Sequence, residues 1–281
     1  MIEPGGKMKI ALLDGYNLMH RARFGMKNGD YHIVFNFFRS LRPIIAEIKP
    51  DKVYLVLEGV PAHRLVADAA YKANRVIEEG TPQAVEMAEF RRQKRIILEA
   101  LGNFPITIAR HPELECDDTI ASLCVDVHKD DECVVVSTDT DFIQLLDSSG
   151  RVKLYNPVKK EYVEPAPYDY VLWKALRGDK TDNVPRVDGM TDAKAAKVLA
   201  DPVKFQAVLD DPELKRQFDR NLTLIRFMTG LHESIQYTDP EPALDKARDQ
   251  FRDFKFYSMV NDTAWRNYTK TFNGLLASNG A

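Results

Sequence analysis

The chain has 281 residues, 44% of them hydrophobic, and a formal net charge of −3. That length suits one large α/β domain or a core with a smaller lobe, and no apolar run approaches the ~18 residues of a membrane span. The first residues lack a basic flank and a long apolar core, so they do not read as a signal peptide. Three cysteines, Cys116, Cys124 and Cys133, match no zinc spacing and suggest reduced thiols in a cytoplasm.

Met8–Leu13 reads as a first strand, ending at Asp14-Gly15, with Asn17, His20, Arg21 and Arg23 close behind. Lys27–Asp30 is a turn. Tyr31–Ile48 has helical periodicity, interrupted by Pro43, which should kink or restart the helix. The Phe35, Phe37 and Phe38 cluster belongs to a core. Lys52–Leu57 is a second strand, followed by Glu58-Gly59. From Pro61 to Leu101 the chain is rich in Ala, Glu, Lys and Arg, with one break at Gly80–Pro82. This predicts two helical segments around a flexible tip. Arg64, Tyr71, Lys72 and Arg75 precede the tip; Arg91, Arg92, Lys94 and Arg95 follow it. Such a pattern fits either a solvated amphipathic face or a basic arch gripping a single strand by phosphate contacts and stacking.

Ile106–Ala109 is a third strand. Glu115-Cys-Asp117-Asp118 then opens a helix to about His128. The helix macrodipole favours one acid there but does not explain three carboxylates in four residues. Val134–Val136 is a fourth, valine-rich strand that runs on into Asp139 and Asp141. Capping of a helix at 142–146 would account for Asp141 alone. Val152–Tyr155 and Glu161–Val163 look like a hairpin at a sheet edge. Tyr168–Leu176 is helical, and the loop after it carries Asp179, Lys180 and Asp182. A turn through Gly189 leads to a helix, Asp192–Leu199, with Lys194 and Lys197. This is either a phosphate-holding helix N-terminus or an ordinary helix–turn–helix joint. Pro202–Phe227 is helical, 231–250 reads as a surface linker, and the aromatics of Phe251–Leu276 should pack back onto the core.

Several strands thus deliver acids to one edge, where sites form in open α/β sheets. Packed carboxylates cost free energy unless something positive lies between them. Asp14, Glu58, Glu115, Asp117, Asp118, Asp139, Asp141, Asp179 and Asp182 would make one metal-binding basin. Setting these nine aside leaves the rest of the chain net positive, which suits a phosphodiester substrate.

The ordered motifs Leu13-Asp-Gly-Tyr-Asn17, Leu57-Glu-Gly59 with Arg64, Tyr71-Lys-Ala-Asn-Arg75, Glu115-Cys-Asp-Asp118, Ser137-Thr-Asp-Thr-Asp141 and Gly178-Asp-Lys-Thr-Asp-Asn183 resemble the 5′ nuclease family. That family comprises flap endonucleases, phage 5′→3′ exonucleases and ribonuclease H, and the 5′ nuclease domain of bacterial DNA polymerase. The resemblance implies an α/β fold: a mostly parallel sheet flanked by helices, a PIN-like core over 8–176 with a helical arch at about 61–101. A helical, DNA-binding region over 177–281 would contain a helix–three-turn–helix element.

It also implies a site. Asp14, Glu58, Glu115 and Asp117 would hold one magnesium ion, with Asp118 nearby through water. Asp139, Asp141, Asp179 and Asp182 would surround a second, and manganese would substitute. Lys72 and Arg75 match basic residues that contact the scissile phosphate, with Tyr71 beside them. Arg21, Arg64, the cations at 91–95, Lys180, Gly189, Lys194 and Lys197 complete the expected nucleic-acid contacts. Asp14, Lys72, Arg75 and Asp141 would be the catalytic set. Two stretches depart from the pattern: Glu58 stands where the family usually has Asp, and Gly189-Met-Thr-Asp-Ala-Lys194 replaces Gly-Ile-Gly.

The implied activity is two-metal hydrolysis of branched or 5′-ended DNA in replication and repair, ribonuclease H activity on RNA–DNA hybrid included. Implied partners are a polymerase and single-strand-binding protein, with no membrane. The rival is a weak or inactive relative that only binds branched DNA. A dehalogenase-type phosphatase needs an acid two residues after Asp14, where Tyr16 stands. A small toxin-like ribonuclease would lack both the arch and the 178–199 element.

Overall fold

The computed structural model describes residues 6–27 and 29–278. The reading of the extreme N-terminus therefore lies largely outside the described residues, as does position 28 of the 27–30 turn. Seven strands form one sheet in the order β6-β5-β4-β1-β2-β3-β7. The five central strands, β1 (Lys9–Asp14), β2 (Lys52–Leu57), β3 (Thr107–Arg110), β4 (Glu132–Val136) and β5 (Val152–Asn156), are all parallel. Their β-branched runs are buried on both faces, as a covered parallel sheet requires. The chain steps from β1 to β2 to β3 on one side, then returns to place β4 on the other side of β1. The switch between β1 and β4 is where a crevice opens.

β6 (Glu161–Val163) closes one edge as the expected antiparallel hairpin with β5. At the other edge β7 (Gln236–Thr238) pairs antiparallel with β3. This corrects the reading of 231–250 as a linker. Three exposed residues are too short for period-2 alternation to reveal them.

One face of the sheet carries α1 (Gly15–Ala22), α2 (His32–Ile48), α4 (Pro82–Leu101), α10 (Leu244–Asp253), α11 (Tyr257–Val260) and α12 (Asp262–Ser278). Phe37, Phe38, Phe104, Phe251, Trp265, Tyr268 and Phe272 meet in that layer. α2 runs through Pro43 as a single helix; its fully apolar face offsets the ~3 kcal/mol a lost backbone bond costs. The opposite face carries α5 (Cys116–Ser122) and a wider π-type turn, Leu123–Val127, in place of a regular helix to His128. The three cysteines are free and buried.

A third cluster stands apart, built by α6 (Tyr170–Arg177), α7 (Asp192–Leu199), α8 (Pro202–Asp210) and α9 (Pro212–Ile225). Residues 170–225 make the lobe, whereas β7 and α10–α12 return to the sheet. The stretch before Gly80 is also less helical than expected: α3 spans only Ala62–Ala67, and Ala73–Arg75 is one 3₁₀ turn. Among the described residues no helix is long and apolar enough to cross a membrane.

Candidate active site

Each acid reaches the sheet edge by a local device. Asp14 ends β1 and caps α1, accepting from Asn17 N at 3.0 Å. Its other oxygen accepts from Ser137 Oγ, at the end of neighbouring β4, at 2.8 Å. Glu58 follows β2 and accepts from Cys116 N at 3.0 Å, so its longer side chain reaches the start of α5. The cap after β4 is Asp139, not Asp141: Asp139 accepts from Asp141 N at 2.9 Å and opens a 3₁₀ turn, Thr140–Leu145. Between α6 and α7 the loop folds through a bridge from Asp179 to Val184. Gly178 has φ of +72°, and a Cβ there would meet Val184 O at 2.6 Å, so glycine is required. These elements surround one pocket of about 1030 Å³, lined by Asp14, Glu58, Asp117, Asp139, Asp141, Asp179 and Asp182.

The electrostatics divide the pocket. Burial pushes the Asp14 carboxyl up to about 7, with Glu58 and Asp139 adding to the rise. Burial also raises Glu58 and lifts Asp117 well above the usual carboxylate range. Among the described residues none of these, nor Asp139, has an ion-pair partner. On the other side Lys174 contacts Asp141 directly and Asp179 at 2.7 Å. Burial raises Asp141, partly offset by that ammonium. For Asp179 burial pulls upward, yet the Lys174 charge and hydrogen bonds win and hold it at about 2. Arg75 pairs with Asp182.

Several expected site residues are tied into the framework by buried hydrogen bonds. Asp118 is fully buried and receives both Arg64 Nη atoms, at 2.5 and 2.7 Å, together with Met228 N at 2.8 Å. It does not face the pocket. Arg64 is 2% exposed and also donates to Leu224 O, tying α3 to α9. Glu115 turns toward Arg64 at 2.8 Å, Tyr71 Oη at 2.9 Å and Lys72 Nζ at 2.5 Å. Tyr71 is buried and has no free face for a base.

The α4 cations also separate. Arg92 pairs with Glu89, donates to Asp30 O and lies over Tyr31. Lys94 lies 5.9 Å from the Tyr16 ring centroid, and Arg91 and Arg95 are exposed. None of the four lines the pocket, whereas Arg21, Lys72, Arg75 and Lys180 do. Gly189 turns at φ of +71° before Thr191 caps α7, and Lys194 and Lys197 are exposed on that helix.

Lys174 was not among the expected site residues, although it lies one helical turn from Tyr170, whose hydroxyl donates to Asp141 at 3.3 Å. A lysine at i+4 from an inward-facing tyrosine is the signal that marks it. Arg177 and Arg186 line the pocket too, as do Tyr16, His20 and Phe24, a row on α1 and just beyond it. Tyr16 and His20 stack with centroids 5.6 Å apart, His20 meets Phe24 edge-on at 5.5 Å, and Phe24 is 73% exposed.

The oxygen-only donor set fits a hard divalent cation such as magnesium. Among the described residues, no three His, Cys, Asp or Glu side chains already converge on one point as a finished coordination sphere. Lys72, Arg75 and Lys174 draw several of the nine acids toward themselves.

Comparison with known proteins agrees with this geometry. Residues 9–171 match the family model described as 5′-3′ exonuclease, N-terminal resolvase-like domain. The thermostable DNA polymerase I of Thermus thermophilus is 30% identical over 215 residues, covering 71% of this chain but 24% of the polymerase. The chain thus spans about a quarter of the polymerase's length. A 5′-3′ exonuclease of Mycobacterium tuberculosis is 29% identical over 222 residues, covering 68% of this chain and 70% of the relative. The fold matches a bacteriophage T5 flap endonuclease solved with DNA and metal ions, with a TM-score of 0.63 at 16% identity, covering 96% of this chain and 99% of that one. With the family model spanning more than half of its residues, the chain belongs to the 5′-3′ exonuclease family.

Proposed function

We propose that this chain is a metal-dependent, structure-specific 5′ nuclease of the cytoplasm. It would hydrolyse phosphodiester bonds near the 5′ ends of nicked or flapped DNA, and of RNA–DNA hybrid, during replication and repair. The observation that carries this reading is one pocket in which seven carboxylates face Arg21, Lys72, Arg75, Lys174, Arg177, Lys180 and Arg186. Acids alone fit an ion, and cations alone fit an anion. Both together fit a metal-assisted reaction on a phosphate.

Asp14, Glu58, Asp117 and Asp139 would hold one magnesium or manganese ion, and Asp141, Asp179 and Asp182 a second. Glu115 backs the first group while anchored by Arg64 and Tyr71. Such ions supply an activated water and stabilise charge on the attacking and leaving oxygens. The protein's own groups do the rest. Lys72 and Arg75, at the base of the arch segment, neutralise the scissile phosphate. Tyr16, His20 and Phe24 offer ring faces to unpaired bases. Burial and the neighbouring Arg23 and Arg21 lower the His20 pKa, which favours the neutral ring for stacking. Exposed Lys194 and Lys197 would steady the duplex beside the cleft, where a polymerase or single-strand-binding protein could hand over the substrate.

A labelled 5′-flap, a nicked duplex and an RNA–DNA hybrid, each with magnesium or with chelator, test the reading. Cleavage should require the metal and leave a 5′-phosphate. Asp141→Asn should bind the flap and fail to cut it. An Asp141→Asn protein that cuts at the wild-type rate rules out this site. A wild-type protein that binds every substrate and cuts none is the binding-only relative.

A further inference from the structure

The two halves of the pocket differ in a way that their acid content does not. Asp14, Glu58, Asp117 and Asp139 have no basic side chain within 4 Å among the described residues. Asp141 and Asp179 share one: Lys174 Nζ touches Asp141 and stands 2.7 Å from Asp179, and its side chain is only 4% exposed. Asp182 is taken by Arg75, with Lys72 Nζ 3.6 Å away.

A buried ammonium is costly unless carboxylates and hydrogen bonds surround it. Here the carboxylates that satisfy it are those the second ion needs. Lys174 also lines the open pocket, so its flexible four-carbon stem has room to move the charge away.

We propose that Lys174 is a tethered cation that occupies the second ion position of the substrate-free protein and competes with the metal for it. This rests on the metal-dependent reading above. The first half then binds its ion with no basic side chain among the described residues in direct contact with its acids. The second ion must displace an ammonium that repels it and already holds two of its oxygen ligands. Phosphates of a bound 5′ strand, entering the same pocket, give the displaced ammonium an anion to meet. Lys174 is in this sense a positioning residue: without substrate it governs when the second ion binds.

The test is a manganese titration of the full chain without DNA, followed by electron paramagnetic resonance of the free ion. Wild type should bind one ion tightly and a second at least about tenfold more weakly. Lys174→Met should tighten the second ion about tenfold or more and leave the first unchanged. Lys174→Arg, which keeps the charge, should retain the wild-type pattern. Lys174→Gln, neutral but still a hydrogen-bond donor, replaces Lys174→Met should that protein fail to fold, and should tighten the second ion likewise. A purely structural lysine predicts no such gain. Unchanged or weakened second-ion binding in the folded neutral variant overturns the inference while the metal-dependent reading stands. A wild-type protein that binds no manganese, with Asp14→Asn indistinguishable from it, overturns that reading instead.

Discussion

Asp117 and Asp118 are adjacent in sequence and meet opposite fates. Asp117 faces the pocket without an ion-pair partner among the described residues, and burial plus three neighbouring carboxylates lift its pKa against the weaker pull of Lys72. Asp118, about 100° further round the helix, is sealed against Arg64 and the backbone of Met228. One carboxylate is held in unfavourable surroundings that a divalent ion would relieve. The other is satisfied by the protein and helps lock α3 to the helical lobe. A cluster of acids is therefore not a uniform resource; the partner of each side chain decides whether it serves reaction or framework.

The largest test of this contrast is Asp117→Asn. Cleavage should fall about a thousandfold or more, roughly 4 kcal/mol in the barrier, with thermal stability unchanged or raised. A steady-state assay beside a melting curve reads both. Next is Arg64→Met, which strands a buried charge and should cost about 3–5 kcal/mol of unfolding free energy in a denaturant titration. If Asp117→Asn destabilises and Arg64→Met does not, the contrast is reversed and the assignment fails. Replacing both partners, as Arg64→Met with Asp118→Leu, should restore most of the loss, because two apolar groups leave no unpaired charge.

The smallest effect is a pH dependence. The Asp14 pKa is raised from 3.8 to about 7 in the folded protein. The folded state thus holds a proton that the unfolded state has lost. Its stabilising effect is complete below about 4 and disappears as pH rises through about 7. Metal-free protein in chelator should lose several degrees of melting temperature across that window. Added magnesium at pH 7 should return them. A flat profile would mean that Asp14 is not held in this environment.

Much of the arrangement was legible beforehand because strand ends are loud. Val134, Val135 and Val136 leading to Asp139 leave little choice of element, and Asp14 and Glu58 repeat the pattern. Helical positions were quieter. Telling Asp117 from Asp118 required knowing which face of α5 meets Arg64, a contact 54 residues away from Asp118. Lys174 resembles any lysine in an amphipathic helix until Asp141 and Asp179 close around it. Arg64 read as a phosphate contact because a cation near an acidic pocket suggests substrate, whereas its burial follows from long-range packing on α9. β7 escaped because its pairing with β3 lies more than 120 residues away in sequence.

That late strand sets where the molecule can be cut. β7 covers the outer backbone of β3, joined at Ile108, Ala109 and Arg110. A recombinant fragment trimmed after α9 would keep every pocket acid, yet bare a row of amide and carbonyl groups on β3. Such an edge is a template for strand exchange with a second copy. Insolubility of that shortened fragment would thus report a missing border strand and a sheet face stripped of α10–α12 rather than a damaged catalytic centre, and a solubility tag would belong beyond α12 rather than in place of the tail.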